Sequence, residues 1–138
     1  MNTINWKLIF QLSLFGLAMS LATISLVPEN FEFVFWIVIF IICAFIIAKQ
    51  VLSKYFLHGF LISIFNSIWI TIGHVLFAAT YLANHPNIAK MNASLPMIMR
   101  QHQRSSMIIM GLPFGIMFGL ILGLFCFIAS KMVKKATS

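Results

Sequence analysis

Residues 111–123 read GLPFGIMFGLILG, with glycine at 111, 115, 119 and 123. The run is otherwise apolar, and each glycine in a helix interior costs about 1 kcal/mol against alanine. Their repetition therefore needs a reason. At about 100° per residue the glycines share one side of a helix, and Cys126, Ala129 and Ser130 continue the stripe. The other side carries Phe114, Phe118, Ile121, Phe125 and Ile128. One bare face and one bulky face describe a helix that admits a neighbour's backbone closely. In lipid, hydrophobicity alone does not hold helices together, but close van der Waals approach does.

The rest of the chain agrees with a lipid solvent. It has 138 residues, is 62% hydrophobic and only 8% charged, against about 25% charged in a soluble domain. A bilayer crossing needs about 20 apolar residues, and four segments supply them: 6–27, 33–52, 56–82 and 105–132. The predicted fold is therefore all-α, one domain over residues 1–138, a bundle of four transmembrane helices. The first segment exceeds the apolar length of a cleavable signal and is read as a retained span. Residues 83–104 form the one long polar loop.

The net charge of +7 rests on nine Lys and Arg and two Glu. The cations sit at the ends of apolar runs rather than on a soluble patch, which excludes a nucleic-acid partner. With four spans, Lys7, Lys49, Lys54, Lys131, Lys134 and Lys135 share one side, and Lys90, Arg100 and Arg104 the other. The positive-inside rule then puts both termini in the cytoplasm. The expected location is a bacterial inner (cytoplasmic) membrane.

Two more spans carry small or polar faces. In the first, Ser13, Gly16, Ser20 and Thr23 align opposite Phe10, Leu14, Leu17 and Leu21. In the third, Gly59, Ser63, Asn66, Ser67, Gly73, His74, Ala78 and Tyr81 occupy one half. The second span, FVFWIVIFIICAFII, is apolar all round and is expected at the lipid edge. The stripe Gly111, Gly115, Gly119, Gly123 resembles the glycine-zipper packing pattern of oligomeric membrane proteins; the resemblance covers that helix alone. Together with Ser13, Gly16 and Ser20 it marks helix-packing positions, facing either another span or a second protein. Pro113 is a candidate hinge, since it removes a backbone hydrogen bond.

Chemistry is confined to few residues. Ser63, Asn66, Ser67, His74 and Tyr81 form a polar membrane face, and an ionisable group in a span is a functional candidate. A structural histidine bonded to Ser20, Thr23 or a carbonyl accounts for His74 equally well. Glu29 and Glu32 lie at a span edge, so no carboxylate is expected inside the membrane, and the absence of Asp excludes a Ser-His-Asp triad. His58 and His74 lie at different depths and do not make a bis-histidine haem site. No enzyme activity and no cofactor is implied. Met91, Met97 and Met99 with His85 and His102 lie in the polar loop, Met107 and Met110 follow just after it, and thioether plus imidazole suits Cu(I); Met97, Met99 and His102 are the candidate ligands. Three functions fit: a homo-oligomeric channel or carrier, an accessory or assembly subunit that uses the glycine face, and a copper-binding membrane protein. The expected partners are the lipid bilayer and a second copy or another membrane protein.

Overall fold

The computed structural model describes residues 3–133; Lys134 and Lys135 lie outside the described residues. Among those residues the order is α1 (Trp6–Ser25), α2 (Glu29–Gln50), α3 (Tyr55–Leu76), α4 (Ala78–Asn84), α5 (Pro86–Ala93), α6 (Met97–Gln101) and α7 (Gln103–Met132), with no strand. α1, α2, α3 and α7 are each long and apolar enough to cross a membrane. The end of the bundle carrying residues 3 and 133 is called the terminal end, the other the loop end.

Local chemistry sets the boundaries. The Asn5 side chain caps α1 by accepting from the Leu8 N–H at 3.1 Å. Pro28 precedes α2, whose first turn holds Glu29 and Glu32 and whose last holds Lys49, the charge order that the helix dipole favours. Lys54, at φ 55° and ψ 37°, turns the chain into α3. Its carbonyl accepts from both the backbone N–H (3.0 Å) and Nδ1 (2.8 Å) of His58, which holds this left-handed turn without a glycine.

α3 is the central helix, with α1 on one side and α7 on the other. The α1–α3 pair is parallel: Asn5 meets His58, Gly16 meets Asn66, and Thr23 meets His74. The α3–α7 pair is antiparallel, and here the glycines are used. A Cβ on Gly123 would come within 2.8 Å of the Phe56 ring, and one on Gly119 within 2.8 Å of Phe60. Gly115 faces Ser67 and Gly111 faces Thr71. From the other helix, a Cβ on Gly59 would meet the Leu122 carbonyl at 2.7 Å. The stripe is thus covered by α3 of the same chain.

Three expectations are corrected. The third span is not one helix over 56–82: it breaks at Phe77 (φ −112°, ψ 33°) and resumes as α4. The 83–104 loop is largely helical, as α5 and α6. α2 does have a packing face, since Ile39, Phe40, Cys43, Ala44, Ile47 and Ala48 are buried, chiefly against α7. On the bulky side of α7, Phe118 and Phe125 both meet Phe40 edge-on, at 6.0 and 6.2 Å between centroids, the geometry aromatic pairs prefer. Phe114 and Ile128 do remain exposed.

Candidate functional site

A polar seam runs between α1 and α3 from one end of the bundle to the other. At the terminal end His58 is fully buried. Its Nδ1 donates to the Lys54 carbonyl and its Nε2 accepts the Asn5 N–H at 3.0 Å, so this ring is neutral with its hydrogen on Nδ1. Further along, Ser13 Oγ donates to the Phe10 carbonyl at 2.7 Å and accepts from Trp69 Nε1 at 3.3 Å. Asn66 Oδ1 accepts the Gly16 N–H at 3.2 Å. Gly73 leaves room for Ser20, whose hydroxyl a Cβ at 73 would overlap. Two side-chain atoms in this seam are buried without a hydrogen-bond partner: Ser20 Oγ and Asn66 Nδ2.

The seam ends at the loop end in a stack of rings. Thr23 Oγ1 donates to the Met19 carbonyl at 2.8 Å, so it accepts from His74 Nε2 at 3.0 Å and His74 carries its hydrogen on Nε2. Of the three partners open to His74 in the sequence, the structure selects Thr23. The His74 ring lies 3.7 Å from that of Tyr81, and Tyr81 lies 4.2 Å from His85. Residues seven apart in a straight helix are separated by about 10 Å of rise; the break at Phe77 brings Tyr81 back over His74. His85 is fully buried and its Nε2 lies 3.0 Å from Glu32 Oε1. Asn84 donates to the Ile24 carbonyl at 2.9 Å and Glu29 accepts the Asn87 N–H at 3.3 Å. Residues of α1, α2, α3, α4 and α5 therefore converge here.

The candidate residues from the sequence divide between two sides of α3. Asn66 and His74 face α1, with Ser13, Gly16 and Ser20 opposite them. Ser67 faces Gly115 of α7, its hydroxyl turned back on the Ile64 carbonyl at 2.8 Å. Ser63 is buried. They do not line one open path. α7 runs helical through Pro113, whose side chain is exposed. Met97 and His102 are exposed at the two ends of α6, and the Met99 carbonyl accepts from Ser106 at 2.9 Å. Shallow depressions of about 380 and 430 Å³ lie at residues 101–105 and around Thr3–Trp6 with Gln50–Ser53, at the bundle ends and away from the seam's middle.

The pairing of Glu32 with His85 escaped the sequence reading. Each stands in an unremarkable polar context, and 53 residues separate them. Glu32 stands in the first turn of α2, at the span edge, and there, half-buried, it closes the ring stack. Comparison with known protein families, curated proteins and solved structures returns no match to this chain.

Proposed function

We propose that this chain is a small, non-enzymatic membrane carrier, and that it moves a small polar solute or ion along the α1–α3 seam. The observation that carries this reading is the pair of buried, unpartnered atoms Ser20 Oγ and Asn66 Nδ2. Each costs about 1–3 kcal/mol while the closed seam leaves it without a partner. Apolar residues of the same shape would make a more stable static bundle. Parting α1 from α3 gives both atoms water or solute as partners, so the described state is read as the closed one. The filled seam favours a carrier over an open channel. The exposed cations Lys7, Lys49, Lys54 and Lys131 at the terminal end support termini in the cytoplasm, and with them an inner-membrane location. An accessory subunit, or a homo-oligomer, would need a surface other than the glycine face, which α3 occupies.

The test is flux into vesicles reconstituted with the purified chain, across a panel of small polar solutes and inorganic ions. At least one is expected to cross faster than in protein-free vesicles. Ser20→Ala is expected to slow it while stabilising the fold, because it removes an unpaired hydroxyl. Vesicles no leakier than protein-free ones to every member of the panel would end the carrier reading.

A further inference from the structure

The contact between Glu32 and His85 can be counted proton by proton. His85 Nδ1 lies 2.8 Å from the Tyr81 carbonyl, which can only accept, so Nδ1 bears a hydrogen. Nε2 is then the atom that faces Glu32 Oε1 at 3.0 Å. An ionised carboxylate and a bare Nε2 would be two acceptors opposed at hydrogen-bond distance. The contact needs one proton between them, whichever atom holds it. We infer that Glu32 and His85 form a proton-binding site, and that the bound proton latches the loop end of the α1–α3 seam. The latching role rests on the carrier reading; the proton site itself does not.

The surroundings fit. His85 is 0% exposed and the Glu32 side chain 23%, so a proton reaches the pair from the loop-end solvent through Glu32. The groups that face it are Glu29 from α2, Tyr81 from α4, His74 from α3 behind Tyr81, and the Thr23 hydroxyl from α1. Glu29, the other acid of the chain, disfavours the unprotonated pair, which carries a net charge of −1, and so favours the bound proton. The His85 ring stacks on the Tyr81 ring at 4.2 Å. His74 stacks on the same tyrosine and reaches Thr23 through its Nε2. The mechanical connection is continuous: Glu32 of α2, His85, Tyr81 of α4, His74 of α3, Thr23 of α1. With the proton bound, four helices are tied together. As pH rises past its release, two acceptors face each other, the tie between Glu32 and His85 breaks, and Tyr81 loses its support against His74.

Glu32→Gln separates this from a plain structural contact. A glutamine amide donates to the bare Nε2 of neutral His85 and keeps the tie with no titrating proton. The experiment follows the ¹⁵N signals of His85 and the ¹³C carboxyl signal of Glu32 in nanodiscs as pH is raised. Hydrogen exchange of α4 and the loop-end half of α1 is measured at the same pH values in wild type and Glu32→Gln. The expected result is one shared step at both residues, Nδ1 protonated throughout, with exchange rising beyond that step in wild type relative to Glu32→Gln. Separate steps at the two residues, no step, or identical exchange in both proteins would overturn the inference. A shared step without solute flux in vesicles keeps the proton site and removes the carrier; flux without a shared step does the reverse.

Discussion

Gly59→Ala is the substitution whose consequence follows most directly from the packing of α3 on α7. The added methyl would lie 2.7 Å from the Leu122 carbonyl oxygen, 2.9 Å from its carbon and 2.7 Å from Cys126 Sγ. Two of those atoms are backbone, so relief requires α7 to move away from α3. Overpacking of a close-packed core costs about 1–3 kcal/mol, and a backbone obstacle puts this site in the upper half of that range. Alanine returns about 1 kcal/mol of helix propensity. The net loss is about 1–2 kcal/mol, a factor of roughly 5–30 in the folding equilibrium. Gly111→Ala is the control. Its methyl meets the Thr71 hydroxyl, the end of a side chain that can rotate, so the propensity gain offsets the crowding and stability stays within about 1 kcal/mol of wild type. Reversible unfolding in mixed micelles, titrated with SDS and followed by circular dichroism, measures both. A Gly59→Ala protein as stable as wild type, or a Gly111→Ala protein equally damaged, would refute the reasoning.

Other consequences are equally direct. Ser94→Cys is expected to react on intact cells with a maleimide that does not cross membranes, and Gln50→Cys only after lysis; Cys43 and Cys126, both 0% exposed, should leave the wild type silent, and the opposite labelling pattern would invert the orientation. His58→Ala removes both the acceptor for the Asn5 N–H and a donor to the Lys54 carbonyl. It should cost about 2 kcal/mol in the same SDS titration, and an unchanged midpoint would show that the terminal-end tie is not holding α1 to α3. Cu(I) titration should find wild type and the Met97→Ala, Met99→Ala, His102→Ala triple variant indistinguishable, because Met97 and His102 stand exposed; tighter binding by wild type would establish the loop as a copper site.

The spans were legible because their signal is length and apolarity, which no tertiary contact can disguise. The small faces of α1, α3 and α7 could be read for a similar reason: small residues recur at helical spacing within each helix, as Gly111, Gly115, Gly119 and Gly123 do in α7, and bulk on the opposite side makes the contrast. What hydropathy hid was contrast within an apolar helix. Cys43, Ala44 and Ala48 make a groove in α2, but against Phe, Ile and Val they register as more of the same. Periodicity also says which side of α7 is bulky without naming its neighbour, so the contact of Phe118 and Phe125 with Phe40 was not legible. The break at Phe77 has neither proline nor glycine to announce it. The ring stack depends on that break, and the Glu32–His85 contact depends on both, so the loop-end site required three-dimensional placement.

Locking α1 to α3 tests the central claim most directly. Ser20 Cβ lies 3.1 Å from where a Gly73 Cβ would stand, close to the roughly 3.5–4.5 Å of a disulfide. Ser20→Cys and Gly73→Cys, in a chain with Cys43 and Cys126 replaced by alanine, should therefore cross-link under oxidant. In reconstituted vesicles the expected result is solute flux when reduced, loss of flux when oxidised, and recovery with reductant. Flux that continues unchanged through the cross-linked seam would contradict the claim.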